Sequence, residues 1–119
     1  MTKYNNKKIV IDGIKFDSKL EASFYVYLKA LNLDLTLQPK FNLQPSFKIF
    51  KKTYRAIDYL ADFSFSWKGQ TLVIDAKGME TEVFKIKRKL LLFKYPGINF
   101  YAVKNLKDLK ALLTANPPV

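Results

Sequence analysis

At 119 residues, 49% apolar and 15% aromatic, the chain can build one hydrophobic core but not two, and it is too apolar for a disordered segment. Having neither cysteine nor histidine, it excludes disulfides, thiolate zinc sites and imidazole catalysis, so any metal ion must be held by oxygen, which favours Mg²⁺ or Mn²⁺. The 21 basic and 10 acidic side chains give a formal charge of +11 and a pI near 9.8, for which nucleic acid is the natural polyanionic partner.

No apolar run approaches the roughly 18 residues of a membrane span, and Met1 to Lys8 lacks the apolar segment of a secretory signal, so an intracellular protein is expected. Lys8 to Phe16 has apolar residues on both sides of Asp12-Gly13, the signature of a small hairpin. Asp17 to about Leu31 then reads as a helix, with Leu20, Phe24, Tyr27, Leu28 and Leu31 at packing positions. Ser18 and Glu21 fit a capping box, in which the Glu carboxylate reaches back to the cap's amide. Leu35 to Leu43 contains Gln38 and Pro39 and is expected as an edge strand or extended segment. After a turn at Gln44-Pro45-Ser46, Phe47 to Tyr54 sets Lys48, Lys51 and Lys52 among aromatics, either as a solvated run or as a binding loop.

The chain's chemistry concentrates between Arg55 and Lys77. Ile57, Tyr59, Ala61, Phe63, Phe65 and Trp67 alternate with Asp58, Asp62, Ser64 and Ser66, the period of a strand with one packed face. Lys68-Gly69 is the turn signal before the β-branched run Thr71 to Ile74. With a two-residue loop, Trp67 faces Gln70, and counting outward sets Asp62 opposite Asp75. Opposed side chains share a face with Cβ atoms roughly 4.5 to 5.5 Å apart, and Lys77 lies on that face as well. Two carboxylates this close repel unless a cation lies between them, either Lys77 or a divalent ion. A one-residue slip of register would send Asp75 to the opposite face.

Beyond Gly78, Thr81 is the expected N-cap of a helix over Glu82 to Lys94, with Val83, Ile86, Leu90 and Phe93 as its buried stripe. Lys85, Lys87, Arg88 and Lys89 crowd its first half as a solvated face or a phosphate-tracking ridge. Pro96-Gly97 ends the helix, Ile98 to Val103 forms a strand, and Asn105 caps a last helix bearing Leu106, Leu109, Leu112 and Leu113 before a tail at Asn116 to Pro118. A crossover through the second long helix makes the last strand parallel to the Asp75 strand, giving an α/β fold with a mixed sheet flanked by helices. One domain over 1–119 is expected, with 8–16 a terminal hairpin and 104–119 a helix and tail.

A helix-borne Glu21, a strand Asp62 and the Asp75-Ala76-Lys77 triplet, in that order, resemble the PD-(D/E)XK nuclease superfamily. Ile-Asp-Gly-Ile-Lys-Phe-Asp-Ser-Lys-Leu-Glu-Ala, Tyr-Leu-Ala-Asp-Phe and Asp-Ala-Lys-Gly-Met-Glu-Thr-Glu-Val-Phe-Lys-Ile-Lys are similar to small phage- and prophage-encoded, Holliday-junction-resolvase-like members. The resemblance spans roughly residues 8 to 103. It implies a restriction-endonuclease-like αβββαβ core and a Mg²⁺-dependent endonuclease, with Mn²⁺ able to substitute, acting on branched or flap-like DNA in the cytoplasm of a bacterial host. Asp62, Asp75 and Glu21 would hold the metal, Lys77 would orient water or stabilise phosphate charge, and Gln38 and Lys87 would be polar helpers. Lys85, Arg88, Lys89, Lys51 and Lys52 are the expected DNA contacts, and paired cuts would call for a homodimer. Ala61 stands where the superfamily's name has Pro, and Asp75 where Glu is commoner; neither change removes a ligand oxygen. A catalytically inactive structure-selective DNA-binding accessory, or an RNA-directed protein, remains the alternative.

Overall fold

Two short turns set the course of the chain. In the computed structural model, which describes residues 8–115, Asp12-Gly13 and Lys68-Gly69 each place two successive residues at positive φ (54° and 77°, 55° and 76°). That geometry matches the right-handed twist of the strands it joins. The first turn links β1 (Ile9–Ile11) to β2 (Ile14–Phe16), as the sequence suggests. The second links β8 (Phe63–Trp67) to β9 (Gln70–Ala76) with Trp67 opposite Gln70 and Phe63 opposite Ile74, the expected register. The residues before Lys8 and the expected tail at Asn116 to Pro118 lie outside the described part.

Helix α1 (Lys19–Ala30) starts at Ser18, whose Oγ accepts the Glu21 amide at 3.1 Å. Only half of the expected capping box forms, since among the described residues the Glu21 carboxylate makes no return bond to the Ser18 amide. Helix α2 (Glu82–Lys94) is capped by Thr81, and α3 (Leu106–Ala115) by Asn105, whose side chain accepts from Asp108.

The fold is mixed α/β. Its main sheet runs β10-β9-β8-β3, with β10 (Ile98–Val103) parallel to β9, as expected of the crossover, and β8 and β3 (Thr36–Leu37) antiparallel to their neighbours. One face of this sheet presents Phe63, Phe65, Trp67, Leu72 and Ile74 to α1 and α3. The other presents Val73 to α2, where Phe84 and Leu91 pack with Tyr59 and Ala61.

Two further expectations fail. The alternating stretch from Ile57 to Trp67 is not one strand: it breaks at Ala61-Asp62 into β7 (Ile57–Leu60) and β8. β7 leaves the main sheet to pair with β4 (Lys40–Gln44), and the amides of Ala61 and Gln38 bond the carbonyls of Pro39 and Asp62 across the break. Consequently Tyr59 and Ala61 pack on the α2 side while Phe63 and Phe65 pack on the α1 side, although all four are odd-numbered. The second failure is the α2 stripe. Val83, Ile86, Leu90 and Phe93 are exposed, and the helix instead buries Phe84 and Leu91. The aliphatic stems of Lys87 and Arg88, both half-buried, fill the turn between them. The basic stretch from Phe47 to Tyr54, read as a solvated run or a binding loop, forms a hairpin of β5 (Phe47–Ile49) with β6 (Lys52–Tyr54).

Candidate active site

Asp62 and Asp75 interlock at the open end of the β8–β9 pair. The Asp62 amide donates to Asp75 Oδ1 at 2.8 Å, and the Ala76 amide donates to Asp62 Oδ2 at 2.8 Å. Each carboxylate therefore caps the other's strand, an arrangement available only because the register sets the two residues opposite each other. Asp75 is 2% exposed and is the one fully buried charged residue among those described. Its Oδ2 accepts a short hydrogen bond from the Tyr59 hydroxyl. Burial in a low-dielectric setting pushes the Asp75 carboxyl up to about 6, against the opposing pull of Lys77 and the Asp62 amide. Asp62 is likewise raised by burial, partly offset by the Ala76 amide and Lys77.

Tyr59 is the site residue that sequence reasoning missed. Its parity in an unbroken strand marks it as a packing residue on the face away from Asp62. Only the break at Ala61-Asp62 turns it toward Asp75, and the segment that pairs across that break, through the Pro39 carbonyl, lies far away in sequence.

Glu21 reaches the site from the other side of the sheet, because α1 packs on the face of Phe63 and Ile74. With Gln38, Lys15 and Asp62 it lines a cavity of about 250 Å³. Burial and then the charges of Asp62, Asp17 and Asp75 drive its carboxyl up to about 7. Gln38, at φ 49°, donates its backbone amide to the Asp62 carbonyl at 3.0 Å beside this cavity.

Lys77 extends β9 through its amide bond to Val103 O at 2.9 Å. Its ammonium lies 4.7 Å from the centre of the Phe84 ring, in range to influence all three acids without an ion pair to any of them. It borders a second, open groove of about 610 Å³ together with Lys40, Lys87, Asp58 and Thr81. Lys87 Nζ is fixed there by the Asp58 carbonyl at 3.1 Å. The expected DNA contacts divide. Arg88 is committed to Glu80 at 3.0 Å and to the Phe84 ring, and Lys85 to Glu82 at 3.2 Å. Lys89, Lys51 and Lys52 are exposed, the last two on the β5–β6 hairpin.

Among the described residues no three acidic side chains gather tightly enough to hold one ion as they stand. The donor set nevertheless suits a hard divalent cation in kind. It is all oxygen, its carboxyls are desolvated, and Glu21 is repelled by both aspartates. A carboxylate has about four lone-pair sites, so an oxygen that accepts an amide bond keeps room for a further ligand.

A family model described as a protein of unknown function (DUF1064) matches residues 1–110. No curated protein and no solved structure matches the chain.

Proposed function

The chain belongs to the DUF1064 family, and we propose that it is a Mg²⁺-dependent endonuclease, Mn²⁺ substituting, that hydrolyses DNA phosphodiester bonds on branched or flap-like substrates. Its core is read as the restriction-endonuclease-like αβββαβ arrangement of the PD-(D/E)XK superfamily. The observation that carries this reading is the interlocked Asp62–Asp75 pair at the end of two paired strands, with Asp75 buried and Lys77 two residues beyond. The order α1, β8, β9, α2, β10 around it, with the last two strands parallel, supports the same reading.

Asp62, Asp75 and Glu21 would hold the ion, which when bound supplies Lewis acidity and a water acidic enough to act as nucleophile near neutral pH. Tyr59 fixes the Asp75 carboxylate so that its free lone pairs point one way. The Phe84 ring keeps the Lys77 ammonium beside the acids, where it balances charge on the attacked phosphate. Water gives up a proton to solvent as it adds to phosphorus, the bond to the leaving oxygen breaks, and that oxygen takes up a proton. Lys40, Lys77 and Lys87 line the groove along which a phosphate backbone would lie.

The ungathered state of the three acids favours a second reading, a catalytically silent DNA-binding accessory. Cleavage of labelled four-way junctions, flaps and duplexes in Mg²⁺ separates the two. Asp75→Asn and Lys77→Ala should each lower the rate by about a hundredfold or more, with binding near wild type. Equal cleavage by wild type and both variants would end the assignment, and matched DNA and RNA competitors report the preferred nucleic acid.

A further inference from the structure

The ribbon made by β4 and β7 continues into an arm whose tip is the β5–β6 hairpin. Every residue from Pro45 to Ile57 is exposed, including Phe47, Ile49, Phe50, Tyr54 and Ile57, side chains that normally seek a core. Across the tip Phe47 is opposite Tyr54 and Ile49 opposite Lys52. Opposed residues share a face, so these four form one surface. On it the Phe47 and Tyr54 rings stack at 4.9 Å and within 9° of parallel, and the Lys52 ammonium sits 5.0 Å above the Tyr54 ring. At the apex Phe50 is 97% exposed and held at φ 57°, a conformation a bulky side chain rarely adopts. Among the described residues no contact accounts for a phenyl ring there.

Charge indicates what this surface fits. Residues 47–57 include Lys48, Lys51, Lys52 and Arg55 and no carboxylate. Flat rings interleaved with cations suit a ligand with π faces joined by phosphates, which describes unpaired nucleotides. Bases stack on aromatic side chains whatever their sequence, while the cations follow the backbone. A fully paired duplex hides its base faces and offers only phosphate. We propose that the arm tip is a stacking platform for unpaired bases, holding nucleic acid at a fork or branch, with Phe50 as the wedge where the strands part. This rests on the nucleic-acid reading above and names the structural feature by which a substrate would be chosen. The base of the arm leads directly into the site, since only Ala61 separates Leu60 of β7 from Asp62.

The test is fluorescence anisotropy with labelled single-stranded, forked and fully paired DNA of equal length, using the full chain in metal-free buffer so that nothing is cut. Phe50→Asn is the informative variant, because asparagine tolerates positive φ and the ring is fully exposed, so the fold should be unchanged by circular dichroism. Wild type should prefer forked to paired DNA by about tenfold or more, and the variant should lose about tenfold on the fork and little on the duplex. 2-Aminopurine at the first unpaired position should change its emission on binding wild type but not the variant. An unchanged fork preference in the variant, no fork preference in wild type, or self-association abolished by the substitution would each overturn the proposal. Because no cleavage enters the assay, a chain that grips forks without cutting them would contradict only the hydrolase reading.

Discussion

Among the described residues the Tyr59 hydroxyl is the one side-chain donor on the buried Asp75 carboxylate. Tyr59→Phe leaves that oxygen desolvated and unpaired, which should cost about 1–3 kcal/mol in urea unfolding at pH 8. The cost should shrink at pH 5, where Asp75, pushed up to about 6, is largely neutral. Equal losses at both pH values would show that the bond does not report the ionised form. A related expectation follows for the whole curve. Glu21 and Asp75 bind their protons more tightly folded than unfolded, with values raised to about 7 and about 6. Such groups stabilise the fold fully below their unfolded values near 4, and that stabilisation is lost as pH rises through 6 and 7. The urea midpoint should therefore fall between pH 5 and pH 8, Asp75→Asn should flatten the decline, and Mg²⁺ at pH 8 should offset it by binding the ionised folded form. A midpoint that climbs over this range would show that the acids are not desolvated as described.

Among the elements, α2 gives the sharpest contrast between pattern and packing. Leu91 is fully buried and Ile86 is mostly exposed. Leu91→Ala should cost about 2–5 kcal/mol, whereas Ile86→Ala should stay within about 0.5 kcal/mol, both read from denaturant midpoints. The reverse order would restore the stripe expected from sequence. That expectation misleads because the helix has two candidate faces. Val83, Ile86, Leu90 and Phe93 form the more apolar one, but Phe84 and Leu91 bracket the stems of Lys87 and Arg88, whose methylenes pack while the Lys87 ammonium settles on the Asp58 carbonyl and the Arg88 guanidinium on the Phe84 ring and Glu80. The β8–β9 hairpin was legible because a turn dipeptide fixes the loop and the loop fixes the register, which brings Asp62 to Asp75. The break before β8 was not, because period-two alternation runs through it unchanged while the partner strand and the buried side both switch. Legibility of the site divides in the same way. The paired aspartates and Lys77 follow from register, whereas Tyr59 and the approach of Glu21 from the opposite face depend on tertiary packing.

As a whole, the molecule is more extended than its length requires. Its radius of gyration is 16.1 Å, against about 13.5 Å for a compact chain of this size by the usual scaling, and the arm extends away from the sheet. The two faces of that sheet differ in task. α1 and α3 cover a closed apolar core, while α2 and the β4–β7 ribbon leave a lysine-lined groove that Lys77 borders. No helix among the described residues is long and apolar enough to cross a membrane. With a formal charge of +11, the chain sets the acids of the β8–β9 end among a large excess of basic side chains, a charge pattern that suits the proposed metal-dependent action on a polyanion. Titration calorimetry with Mn²⁺ at pH 8, comparing wild type with Asp75→Asn, tests that pattern most directly. Saturable heat at millimolar ion for wild type, reduced to dilution heat in the variant, is the predicted result; superimposable isotherms for the two proteins would contradict it.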